Sequence, residues 1–172
     1  MSRVRMNYHE ECEVAVNKMI NSELFVSYSY LSMSYYFARD DVALPGAAKW
    51  FACHSDEERE HARKLMDFQV ERGGKVVLND VHKPEKEEWG SPLEALEYAL
   101  EMERRHAQRM IDLHALAHKH HDGHMSNFLE DQFLNEEVEE MKEISDLITG
   151  LKRVGTGLGE YLFDKETLAK TD

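Results

Sequence analysis

The stretch Glu57-Glu58-Arg59-Glu60-His61-Ala62 decides how this chain is read. Glu58 and His61 stand three residues apart, and on a helix that spacing points both side chains the same way. Phe51 and Leu65 lie one heptad to either side of Glu58, so the face that carries the pair is otherwise apolar. A carboxylate and an imidazole side by side on an inward face make half of a metal site. The same Glu-x-x-His unit recurs in helical bundles whose carboxylates hold paired metal ions.

Working outward, punctuation marks the helices. A first helix is expected from about Glu10 to Arg39, with Asn7 as its cap, stopping at Arg39-Asp40-Asp41. The helix that carries Glu58 starts with Pro45 in its first turn and runs to Arg72, where Gly73-Gly74 ends it. Residues 75–90 lack helical periodicity. So long a connection between long helices predicts a crossover to a parallel neighbour. Ser91-Pro92-Leu93-Glu94 reads as a capping box and opens a third helix to about His120. Asp122-Gly123 turns the chain into a fourth helix from about His124 to Val154, with Gly150 as a possible bend. Gly155, Gly157 and Gly159 break it, and a short fifth helix spans about Glu160 to Leu168. The fold class expected is all-α: a four-helix bundle with a long crossover between the second and third helices, plus a short fifth helix. The 172 residues are read as one domain.

Heptad rows on the other helices supply partners for Glu58. The first helix gives Val16, Glu23, Tyr30 and Phe37; the third gives Leu96, Glu103 and Met110; the fourth gives Glu130, Glu137 and Ile144. Each long helix therefore carries glutamate in a largely apolar row. An isolated buried carboxylate is costly, because desolvation disfavours its charged form. Four of them near the midpoints of four helices would meet at one level, and a pair of di- or trivalent cations would make that meeting favourable. Oxygen ligands with an imidazole suit iron. Ion pairs with arginines such as Arg104 and Arg105 are the alternative. Tyr30 is either a core aromatic with a bonded hydroxyl or a phenol close enough to the metals to donate an electron. His106 repeats the three-residue spacing after Glu103, and a literal template makes it a second imidazole; a supporting or surface place is the other reading. Glu140 follows Glu137 by three and either faces the site or does not.

Composition narrows the function classes. With 34 acidic and 21 basic side chains the formal net charge is -13. Such a surface repels phosphate backbones and attracts cations, so no nucleic-acid partner is expected. No window approaches the roughly 18 apolar residues of a membrane span, so no membrane partner is expected either. Two cysteines, Cys12 and Cys53, are too few for a disulfide framework and fit reduced thiols in a cytoplasmic setting. Met1 to Arg5 is followed by no apolar stretch, so no signal peptide is expected.

Several stretches resemble the animal ferritins of the catalytic, heavy-chain type: Asn7-Tyr8-His9, Leu31-Ser32-Met33-Ser34-Tyr35-Tyr36-Phe37, Arg39-Asp40-Asp41-Val42-Ala43-Leu44, Glu57 to Ala62, Arg72-Gly73-Gly74 and Glu160-Tyr161-Leu162-Phe163-Asp164-Lys165. The resemblance runs from Val4 to Leu168. It implies a ferritin-like bundle assembled into a cage of about two dozen copies of itself. It also implies oxidation of iron(II) by dioxygen at a di-iron ferroxidase centre, with ferric oxide mineral stored inside. By that resemblance the first iron would be held by Glu23, Glu58 and His61, and the second by Glu58 and Glu103 with help from Glu137. Tyr30 would be the tyrosine beside the site. His54, Glu57, Glu136 and Glu140 match positions linked to iron passage or weak second-site binding, and Glu57 and Glu60 match cavity-wall acids where mineral nucleates. Glu130 matches a channel acid, with Asp131 beside it and Asn127 where an aspartate is usual. Other departures are Glu137 for the usual glutamine, Glu140 for a smaller residue, Arg63 for an acid, Glu166 for a histidine, and His106 as an imidazole outside the usual set. Three rivals share parts of this pattern: a storage subunit without the ligands, a di-iron oxygenase with two Glu-x-x-His units, and a metal-free helical module.

Overall fold

The computed structural model describes residues 2–170, and they form helices with no strand among them. In chain order these are α1 (Glu10–Phe37), α2 (Pro45–Glu71), α3 (Pro92–Lys119), α4 (Gly123–Leu129), a π-helical segment (Glu130–Leu134), α5 (Asn135–Val154), α6 (Leu158–Glu166) and a 3-10 turn (Leu168–Lys170). α4, the π segment and α5 run on without a break and together make the fourth rod of a four-helix bundle.

Contacts give the directions. Ser27 bonds Ser55, and Ser34 bonds the Ala48 carbonyl, so α1 and α2 are antiparallel. Tyr30 meets Glu103 while Ser22 meets His106, so α1 and α3 are antiparallel too. α2 and α3 are therefore parallel, and the segment between them is the expected crossover. It lies along α1: Asn17 Nδ2 donates to the Lys75 carbonyl at 2.9 Å, Val77 N–H donates to Asn17 Oδ1 at 3.0 Å, and Trp89 Nε1 donates to Ser32 Oγ at 3.1 Å.

The Ser91–Glu94 capping box forms as read, and Pro45 sits in the first turn of α2. Four expectations change. His9, not Asn7, caps α1, its Nδ1 accepting from Glu11 N–H at 3.1 Å; Asn7 adopts φ 47° and donates to the His121 carbonyl at 3.3 Å. α1 ends at Phe37, and Arg39 turns outward to Asp41 and Glu88 at 2.8 Å each. α6 begins at Leu158 and ends at Glu166. Gly150 produces no break in α5; a Cβ there would lie 2.8 Å from the Phe163 ring, so the glycine admits α6 against α5.

The irregularity of the fourth rod falls instead at Glu130–Leu134. Wider turns shift the buried face to steps of four, through Met125, Leu129, Phe133 and Glu137. Glu130 is thereby rotated to the exterior, out of the row it was expected to share with Glu137.

The core is divided. One hydrophobic cluster gathers Val26, Met33, Phe37, Trp50, Phe51, Leu96, Ile144 and Leu151. The other gathers Val16, Ile20, Leu65, Met110, Leu113, Leu129 and Phe133. On every rod the change from one cluster to the other falls at a glutamate: Glu23, Glu58, Glu103 and Glu137. The bundle thus has two apolar halves with a polar layer between them.

Candidate metal centre

Four rods supply the layer. Glu23 from α1, Glu58 and His61 from α2, Glu103 and His106 from α3, and Glu137 from α5 are all buried, and Glu140 is half-buried beside them. His61 Nδ1 lies 3.4 Å from Glu58 Oε2 and 4.0 Å from Glu23 Oε2, and its Nε2 is 3.3 Å from Glu136 Oε2. His106 Nε2 lies 3.0 Å from Glu23 Oε2 and 3.5 Å from Glu137 Oε1. Tyr30, fully buried, donates its hydroxyl to Glu103 Oε1 and stacks against Phe51.

Donor atoms fall into three overlapping groups, each with its atoms within 4.8 Å of one another: Glu23, Glu58 and His106; Glu58, His61 and Glu140; Glu103, Glu137 and Glu140. Glu58 and Glu140 each belong to two of them, and of the two only Glu58 is fully buried.

Burial dominates the electrostatics. Desolvation lifts Glu23 and Glu103 from 4.5 to about 7, Glu137 to about 9 and Glu140 to about 10, and carries Glu58 well above its ordinary value. The charges of Glu103 and Glu136 add to the rise on Glu23, that of Glu58 to the rise on Glu103, and those of Glu103 and Glu23 to the rise on Glu137. Burial, with the Glu103 charge next, also pushes the Tyr30 phenol well up. Both oxygens of Glu23, Oε2 of Glu103, Oε2 of Glu137 and Nε2 of His106 have no hydrogen-bond partner despite complete burial. Buried polar atoms are paired in nearly all folded proteins, so an orphaned cluster of this size points to a missing positive charge. The donor set of carboxylate oxygens and imidazole nitrogens fits iron. Arg104 and Arg105 do not supply the charge; both face outward to Glu101.

The remaining expected residues lie elsewhere or at the margin. His54 is buried against Trp50, its Nε2 3.9 Å from Glu57. Glu57 and Glu60 are exposed on the outer face of α2, Glu60 pairing with Arg63 at 3.3 Å. Glu136, exposed at its own helix turn, reaches His61. Glu130 pairs with His114 at 2.6 Å and Asp131 accepts from Asn127 at 2.9 Å; neither approaches the buried layer. Sequence reasoning missed Ser22 and Arg109, which stand behind His106. Ser22 lies on α1 and Arg109 on α3, three residues beyond His106, and nothing in either residue type signals the contact between them. The histidines crowded at the end of the third helix and the turn after it, His118, His120, His121 and His124, read as solvated with stray metal binding possible; of these His120 joins a surface group with His9 and Glu11, in which the two imidazoles stack at 3.7 Å.

A four-rod bundle with a crossover connection and a buried carboxylate layer defines a class of helical metal-binding proteins. Within it this chain belongs to the ferritin family: the ferritin-like domain matches residues 13–154. The soma ferritin of Lymnaea stagnalis is 56% identical over 171 residues, 99% of this chain and 98% of that protein. Ferritin middle subunits are 52% identical in Aquarana catesbeiana, over 99% of each chain, and in Salmo salar, over 97% of each. No helix among the described residues is long and apolar enough to cross a membrane.

Proposed function

We propose that this chain is an iron-storage subunit with ferroxidase activity. It binds two iron(II) ions as substrate in the buried layer, passes their electrons to dioxygen, and releases iron(III) to a ferric oxide mineral. The observation that carries the reading is the orphaned oxygen cluster shared by Glu23, Glu103 and Glu137. Glu23, Glu58 and His61 hold one ion; Glu58, Glu103 and Glu137 hold the other, with Glu140 within reach. Each iron(II) gives up one electron, and one dioxygen takes both with two protons to leave as hydrogen peroxide. The carboxylates offset the charge that grows on iron. Three or four protein groups per ion leave positions open for oxygen. Tyr30 fixes Glu103 through its hydroxyl and closes the layer against the cluster of Val26, Phe37, Trp50 and Phe51.

Glu57 and Glu60 then face the mineral, and Glu130 with Asp131 lies on the route that cations take inward. The chain acts as one domain within a cytoplasmic cage of 24 copies of itself. Exposed apolar side chains on α1 support assembly: Tyr28, Leu31 and Tyr35 recur at three and four residues along one outer stripe. Glu58→Ala with His61→Ala is expected to abolish the rapid oxygen uptake that follows addition of iron(II). Uptake at the wild-type rate would refute the ferroxidase reading.

A further inference from the structure

We infer that His106 is itself a metal ligand: with Glu23 and Glu58 it forms a second imidazole-containing position for a divalent transition-metal ion, additional to the one built on His61. The inference rests on reading the buried layer as a metal centre and adds a ligand to it.

His106 is held as metal-binding imidazoles are held. Ligating histidines have their second ring nitrogen tied to another group, which sets the ring plane and places the proton. Here Nδ1 lies 3.1 Å from Ser22 Oγ, and Ser22 Oγ in turn accepts from Arg109 Nη1 at 2.8 Å. A hydroxyl oxygen has two lone pairs. One takes the Arg109 N–H and the other is free for an Nδ1–H, which leaves Nε2 with its lone pair directed into the layer.

A plain hydrogen bond does not account for the inner side of the ring. Nε2 is 3.0 Å from Glu23 Oε2 and 3.5 Å from Glu137 Oε1, yet it makes an aligned hydrogen bond to neither. Glu23 keeps both oxygens unpaired and Glu137 one. The partnerless His106 Nε2 and the partnerless Glu23 stand with Glu58 in one donor group, from α3, α1 and α2, with ligand atoms within 4.8 Å of one another, an arrangement for a cation between them. The His61 position differs in its imidazole and in having Glu140 beside it; it shares Glu58, and Glu23 lies 4.0 Å from His61 Nδ1. Two imidazoles on separate rods, each three residues after a glutamate, complete the symmetric donor set of two-metal carboxylate bundles. One imidazole with two carboxylates suits iron(II) or zinc(II) rather than magnesium or calcium, so His106 would favour transition ions over the hard cations.

Redox-inert zinc(II) tests this on the assembled, metal-free protein, by calorimetric titration and by crystals soaked with zinc and measured at its absorption edge. Wild-type protein is expected to place a zinc ion about 2.0–2.1 Å from His106 Nε2. His106→Asn should remove that ion and weaken one binding event per subunit by about tenfold or more, leaving the His61 ion in place. Ser22→Ala, which leaves every ligand present, should weaken the same event by about 10- to 100-fold. His61→Asn should do the reverse, losing its own ion and sparing that at His106. Zinc beside His61 but beyond 3 Å of His106, with an unchanged titration in His106→Asn, would overturn the inference and leave the proposed centre standing. Zinc at neither histidine would overturn both.

Discussion

At the scale of the residue, the governing fact is that carboxylates are buried without protein cations to match them. Folding must desolvate Glu23, Glu58, Glu103 and Glu137, and the metal-free chain accommodates this by keeping protons on them. Unfolded, these groups titrate near 4.5; folded, Glu23 and Glu103 titrate near 7, Glu137 near 9 and Glu140 near 10. Between those limits the folded state binds more protons than the unfolded one, so stability falls as pH rises. The metal-free protein should therefore melt at progressively lower temperature from pH 5.5 to pH 9 in scanning calorimetry, and zinc should restore most of the loss at the alkaline end. A melting temperature that climbs over that range would contradict the burial. Glu137→Gln keeps the shape and removes one buried acid. It should raise the metal-free melting temperature at pH 8.5 by a few degrees while lowering metal affinity, since about 1 kcal/mol moves the melting point of a chain this size by about 2–4 °C. Much of this layer was legible beforehand. The heptad rows through Val16, Phe51 and Leu96 carry Glu23, Glu58 and Glu103 into the interior, because apolar neighbours seven residues away leave a side chain no other face. His106 was legible only as a spacing. It shares the buried stripe of α3 with Ala99, Met102, Met110 and Leu113, but no periodicity within α3 reveals that Ser22 faces it.

At the scale of the element, prolines, glycines and the capping box placed the helices, whereas long-range partners decided their ends. Leu44 offers α2 no side-chain cap. The cap comes from α6, where Asp164 accepts from Gly46 N–H at 3.0 Å and Ala47 N–H at 2.7 Å. Gly46 permits the approach, as a Cβ there would fall 2.0 Å from the Asp164 carbonyl oxygen. An acid so far along the chain has no sequence signal that couples it to Pro45. Asp164→Ala should destabilise the protein by about 0.5–2 kcal/mol, measured by denaturant unfolding, and should speed amide exchange at Ala47. Unchanged exchange there would mean that the cap does not hold α2. The π segment was hidden for a related reason. A heptad count assumes uniform turns, and five residues of wider winding turned Glu130 outward while delivering Glu137 to the layer.

For the whole molecule, the division of the core into two apolar clusters makes a layer that is rigid on both sides and open to charge in the middle. Packing rather than loops therefore fixes the buried carboxylates and imidazoles, which suits the proposed iron centre. Assembly is a separate property of the outer surface. Leu31→Glu with Tyr35→Glu should break the cage into smaller species on size-exclusion chromatography without changing the helical circular dichroism of the subunit. An intact assembly would show that this stripe is not part of the interface. The convergence of the four rods on metal is tested most directly in crystals soaked briefly and anaerobically with iron(II), with anomalous maps recorded at the iron edge. Two iron positions about 3.5–4 Å apart are expected inside each subunit, bridged by Glu58 and flanked by Glu23, His61 and Glu103. Iron confined to surface acids, with the interior of the bundle empty of anomalous density, would contradict it.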